Sequence, residues 1–167
     1  PEELARPRES VFGSTNGDLK RGLELSLDQY REIDFYCNDL KLDWSTSCWD
    51  VASVAQIAAF GPPWLKIPSA LLTDTILLEA YRATGIPLLL STGMSTEAEV
   101  DQAVRTLHDC KLVLLHCCAS YPSPIDELNL SAILTMQSRY GLPVGYSSHS
   151  VSPWPCLMAA CLGATIL

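Results

Sequence analysis

Short apolar runs that close on polar side chains recur along the sequence, and they restrict its fold more than any other feature. The run Gly141-Leu142-Pro143-Val144-Gly145-Tyr146-Ser147-Ser148-His149-Ser150 opens on Gly and Pro and ends on hydroxyls and a histidine. The same pattern occurs in Asp43-Trp44-Ser45-Thr46-Ser47, Trp64-Leu65-Lys66-Ile67-Pro68-Ser69, Pro87-Leu88-Leu89-Leu90-Ser91-Thr92-Gly93 and Leu112-Val113-Leu114-Leu115-His116-Cys117-Cys118-Ala119-Ser120-Tyr121. Continuous apolar stretches of this length suit strands buried on both faces, as in parallel sheets. Their polar residues then collect along one edge of the sheet.

Helical signals fill the intervals. Ser26-Leu27-Asp28-Gln29 and Thr96-Glu97-Ala98-Glu99 are capping boxes, in which a hydroxyl and an amide or acidic side chain satisfy each other's backbone N–H groups. After the first, Tyr30, Ile33, Cys37 and Leu40 share one helical face; after the second, a helix runs to Asp109. Asp50 opens a helix to Phe60 that Gly61-Pro62-Pro63 stops, and Asp74 opens another to Thr84, before Gly85. Further helices are expected from Asn129 to Tyr140 and from Trp154 to Leu162, with Ala164-Thr165-Ile166-Leu167 beginning another strand.

Strand, loop and helix in alternation indicate an α/β fold with a parallel sheet. Eight such units close a (β/α)8 TIM barrel whose active site lies at the C-terminal strand ends, and about six are present here, so the expected fold is an incomplete barrel. A doubly wound sheet would carry a Gly-rich phosphate turn after its first strand, which Ser47-Cys48-Trp49-Asp50 is not. Residues 1–25, with prolines at 1 and 7 and Gly13-Ser14-Thr15-Asn16-Gly17-Asp18, read as a loop-rich N-terminal segment of the barrel with a turn of helix near Leu19. Residues 26–167 are left as the partial barrel domain.

With 48% hydrophobic and 18% charged residues over 167 positions, the chain can bury a core rather than stay disordered. A net charge of −8 leaves no basic stripe for nucleic acid or an anionic membrane. Arg6, Arg8, Lys20, Arg21, Arg31 and Lys41 crowd the N-terminal part, and only Lys66 falls late in a predicted strand, where it is a candidate anion contact. The longest apolar stretch, Cys156 to Leu167, falls short of the about 20 residues that span a bilayer. Pro1-Glu2-Glu3 is acidic where a secretory signal would be basic. The seven cysteines form no Cys-x-x-Cys pair, and Cys48, Cys117 and Cys118 sit in or beside apolar runs, as reduced thiols do. A cytoplasmic protein is expected. The first methionine is Met94, so the chain is expected to be a fragment or processed piece.

Lys66-Ile67-Pro68-Ser69, Leu90-Ser91-Thr92-Gly93-Met94-Ser95-Thr96, His116-Cys117-Cys118-Ala119-Ser120-Tyr121-Pro122 and Gly145-Tyr146-Ser147-Ser148-His149, in this order, resemble the N-acetylneuraminate (sialic acid) synthase family. The likeness runs from Gly17-Asp18-Leu19-Lys20 to Leu162-Gly163-Ala164. It implies a transferase of sialic acid biosynthesis on a TIM barrel. Carbon 3 of phosphoenolpyruvate adds to the aldehyde of an N-acetylhexosamine such as N-acetylmannosamine, water adds at carbon 2, and phosphate leaves. It also implies a divalent metal, Mn2+ or Mg2+, with a second ligand histidine beyond Leu167, and a homodimer when full length. By the same resemblance Ser47, Lys66, Ser69, Ser91 and Ser147 contact phosphoenolpyruvate, Tyr121 belongs to the sugar site, with Lys66 and Tyr121 catalytic, and His149 is a metal ligand. Two positions depart from the family pattern: Ser148 stands where an Asp usually precedes the histidine, and Ala119 where a Ser or Asn is usual.

The residues make chemical sense apart from any relative. A phosphate wants a cation and several short donors, and hydroxyls on neighbouring strand ends supply donors without adding charge. A serine also closes a strand for ordinary turn reasons, and a lysine can snorkel to solvent; recurrence at several strand ends, and the short strand around Lys66, favour a site. His116, in mid-strand, reads as a core hydrogen-bonding residue, and His108 as complementing a helix C-terminus. Two other functions fit the same pattern: a pyruvate-type aldolase with Lys66 as Schiff-base nucleophile, and a non-catalytic truncated domain.

Overall fold

The computed structural model describes residues 2–167. The chain divides into two units, one ending at Leu42 and the other spanning Asp43–Leu167. The first holds α1 (Glu2–Ala5), an antiparallel hairpin of β1 (Pro7–Ser10) and β2 (Gly13–Thr15), α2 (Asn16–Leu23) and α3 (Leu27–Leu40). The helical turn expected near Leu19 is α2, and the rest of the loop expected over residues 1–25 is corrected to a hairpin and a short helix; Pro1 lies outside the described residues. Polar side chains on both faces of β1 and β2 give no apolar alternation to read. The hairpin is held locally instead, by Asn16 N–H to Arg6 O (2.9 Å) and Ser10 Oγ to Gly13 O (3.1 Å). Helix α3 starts at the predicted Ser26/Gln29 capping box, and none of its residues is buried.

The second unit alternates helix and strand as its caps and apolar runs dictate. In order come α4 (Val51–Ala58), β3 (Leu65–Ile67), α5 (Thr75–Ala83), β4 (Leu88–Ser91), α6 (Glu97–Thr106), β5 (Leu112–His116), α7 (Ala132–Tyr140), β6 (Val144–Tyr146) and α8 (Trp154–Cys161). Asp50 caps α4 by accepting from Ser53 N–H (2.9 Å), Asp74 caps α5 by accepting from Leu77 N–H (3.0 Å), and Thr96 with Glu99 boxes the start of α6. Gly141, at φ 62°, ends α7 in the left-handed conformation that glycine adopts without strain.

The four strands form one parallel sheet in the order β3-β4-β5-β6. Register pairs Ile67 with Leu90, Leu90 with Leu114 and Leu114 with Val144, and all four side chains are fully buried. With Leu65 and Leu88 they make one face of the sheet a continuous core, and Leu77, Leu78 and Ile133 of the helices are buried as well. Burying each such side chain is worth about 1.5–3 kcal/mol. The alternate positions Lys66, Leu89, Ser91, Leu115 and Gly145 occupy the opposite face, the interior side of a barrel wall. The fold is thus α/β, an incomplete (β/α)8 barrel.

Two expected strands take another form. Residues 43–47 form no ladder; among their contacts are Ser45 Oγ–H to the Trp64 carbonyl and a Trp44–Phe60 edge contact. Residues 164–167 are not a full strand but begin to pair beside β6, through Thr165 N–H to Val144 O and Ile166 O from Tyr146 N–H, both 2.9 Å. Among the described residues no helix is long and apolar enough to cross a membrane.

Candidate active site at the strand ends

Leu65 and Ile67, both fully buried, fix β3 so that Lys66 between them must project to the other face. Its Nζ rises to Ser147, just past β6, and donates to that hydroxyl at 3.4 Å. Among the described residues Lys66 makes no ion pair, whereas Arg82 and Arg139 are bound by Asp109 and Asp101. An uncompensated ammonium in a chain of net charge −8 is a local site for an anion.

Lys66, Ser69, Ser91, Ser147, Tyr121 and His149 line one cavity of about 260 Å³. Ser69 Oγ accepts from Gly93 N–H at 3.0 Å. Ser91 is only 3% exposed and its hydroxyl has no hydrogen-bond partner among the described residues, which leaves a buried donor free for a ligand. Ser147 N–H donates to His116 O (2.9 Å), which continues the β5–β6 ladder and sets the serine at the cavity floor. Ser47 does not line the cavity. The Tyr81 hydroxyl bonds both N–H and C=O of the adjacent Cys48 at 2.8 Å, and Trp49, two residues past Ser47, lines the cavity in that segment.

At the rim, the proton positions on His149 follow from its partners. Nδ1 faces the Cys118 carbonyl at 2.8 Å, which can only accept, so Nδ1 carries the hydrogen. In the neutral ring Nε2 then accepts from the Tyr121 hydroxyl, 2.8 Å away, while the two rings stack with centroids 4.0 Å apart. Ser148 is not needed to orient the ring, because the Cys118 carbonyl does so. Ala119 lines the cavity without offering a donor, and Ser120 turns its hydroxyl to Glu127 (3.4 Å). His116 Nε2 meets the Leu128 carbonyl at 2.8 Å, the core bond expected of it.

Desolvation raises the pKa of the Tyr146 phenol, whose oxygen is buried without a hydrogen-bond partner; the nearby Ser148 side chain opposes the rise. The Cys118 thiol is lowered, first by the Ser120 N–H. Among the described residues no group of three or more His, Cys, Asp or Glu is placed to hold a metal, and Nε2 of His149 already accepts from Tyr121. These residues therefore do not by themselves fit a divalent ion.

Other cavity residues were not singled out as site residues from the sequence, among them Trp49, Met94 and Cys117. Cys117 had a readable signal, since it lies two positions beyond Leu115 and so on the same face of the strand path. Met94, at φ 61°, had none.

A family model described as NeuB family matches residues 5–167. Relatives include an N-acetylneuraminate-9-phosphate synthase of Drosophila melanogaster, 32% identical over 94% of this chain and 43% of its own length. An N,N'-diacetyllegionaminic acid synthase of Legionella pneumophila is 31% identical over 92% of this chain and 45% of its own. A sialic acid synthetase from Leptospira borgpetersenii, solved with citrate, superposes with a TM-score of 0.87 at 30% identity, covering 93% of this chain and 56% of that one. The chain spans under half the length of these curated relatives.

Proposed function

The chain belongs to the NeuB family, and on that premise we propose that the full-length protein condenses phosphoenolpyruvate with the aldehyde of an N-acetylated hexosamine, giving a sialic acid or related nonulosonic acid. The observation that carries the reading is the unpaired Lys66 ammonium at a cavity lined by the hydroxyls of Ser69, Ser91 and Ser147. One cation and several neutral donors suit a phosphate monoester, and a charge-assisted contact of this kind is worth about 1.5–3 kcal/mol.

In this reading Lys66 and the serines bind and orient the phosphate and carboxylate, which leaves carbon 3 of the enol toward the rim. Tyr121 and His149 stand there, and the Tyr121 hydroxyl is placed to hydrogen-bond an incoming sugar. Water adds at carbon 2 and inorganic phosphate leaves. The Mn2+ or Mg2+ expected from the sequence belongs to the proposal only with ligands from outside the described residues, and no step is assigned to it. The proposal also includes a cytosolic homodimer; seven free thiols support the reducing compartment.

The test is release of inorganic phosphate from phosphoenolpyruvate by the full-length protein with candidate sugars. Release that requires an N-acetylhexosamine is expected. No release with any such sugar, together with a borohydride-trapped pyruvate adduct on Lys66, would replace the synthase with a Schiff-base aldolase.

A further inference from the structure

Ser69 sits where three segments meet: the turn after β3, the loop after β4 and the end of β5. Its Oγ has two lone pairs and one hydrogen. Gly93 N–H takes one lone pair at 3.0 Å, and Cys117 Sγ lies 3.2 Å away, where either atom can donate. The approach is tight: a Cβ on Gly93 would come within 2.8 Å of Cys117 Sγ and 3.1 Å of Ser69 Oγ. Cys117 is 5% exposed, and what it touches includes the cavity that Lys66 serves.

We infer that Cys117 is a positioning residue for this cavity: its thiol hydrogen occupies the second lone pair of Ser69 and so turns the Ser69 hydroxyl hydrogen toward a bound anion. In the opposite arrangement Ser69 donates to sulfur and presents a lone pair to the cavity. An oxyanion accepts and cannot donate, so it selects the first arrangement. The result is a chain, S–H to O–H to ligand oxygen, in which each bond polarises the next. No proton is transferred. The inference rests on the cavity being an anion site, and it adds to that reading a residue that acts through Ser69.

The test is calorimetric titration of phosphoenolpyruvate into the full-length protein and its Cys117→Ala, Cys117→Val, Cys117→Ser and Lys66→Ala variants. Valine fills the space of the thiol without a donor, and serine donates while filling it less well. Alanine and valine should each weaken binding about three- to tenfold, the size of one neutral hydrogen bond, with serine within about twofold of wild type. Wild-type affinity in Cys117→Val, with Lys66→Ala weakened, would overturn this role for Cys117 and leave the anion site standing. Unchanged affinity in Lys66→Ala would overturn both.

Discussion

The histidine at the rim has only one way to arrange its hydrogen: the Cys118 carbonyl claims Nδ1–H, and the Tyr121 hydroxyl meets Nε2. Ser69 is as tightly held, between Gly93 N–H and Cys117 Sγ. Gly93 is a glycine for reasons of space: any Cβ there would press on Cys117 Sγ at 2.8 Å and on the Cys117 carbonyl at 3.2 Å. Gly93→Ala should therefore move Ser69 and weaken phosphoenolpyruvate binding severalfold while the protein still melts cooperatively. Unaltered affinity by titration would show that the loop absorbs the methyl group at no cost to the site. Lys66, Ser69, Ser91 and Ser147 were legible because each follows or interrupts an apolar run. Cys117 was harder to read, because a thiol in an apolar run looks like a small packing residue; its one signal is the alternation from Leu115, which places it on the cavity side.

Among the elements, the four strands of the sheet were legible because their side chains have one role each: Leu65, Ile67, Leu88, Leu90 and Leu114 fill one face completely. The capped helices α3 and α6 were equally plain, since Ser26 with Gln29 and Thr96 with Glu99 need no tertiary partner to act. Residues 43–47 misled because an apolar run close to turn residues looks the same with or without a ladder beside it. Ser47 in that segment, assigned to the site by the family resemblance, is not among the residues that line the cavity. The hairpin of β1 and β2 was hidden by its polar faces.

Arg82 ties α5 to the turn after α6 by gripping Asp109 through two nitrogens at 2.7 and 2.8 Å. Arg82 holds the Asp109 carboxyl down to about 2 from 3.8. A carboxylate lowered in the folded state contributes stability that is complete above its unfolded value and is lost as pH falls through the folded one. The exposed pair contributes little, but its pH window is defined. Urea midpoints of wild type and Asp109→Asn should differ by a constant amount above about pH 5 and converge toward pH 2. A difference independent of pH across that range would show that the ion pair does not act.

At the scale of the whole molecule, a net charge of −8 surrounds a cavity whose one lysine has no carboxylate partner among the described residues. Long-range charge therefore disfavours anions generally, and the strand ends must offset this locally with an ammonium and converging hydroxyls. Titration of phosphoenolpyruvate into wild type and Lys66→Ala at fixed ionic strength measures that local offset. Loss of the lysine should weaken binding roughly ten- to a hundredfold, the value of one charge-assisted contact. Equal affinities for the two proteins would contradict it, because among the described residues no other lysine or arginine lines the cavity to take the place of Lys66.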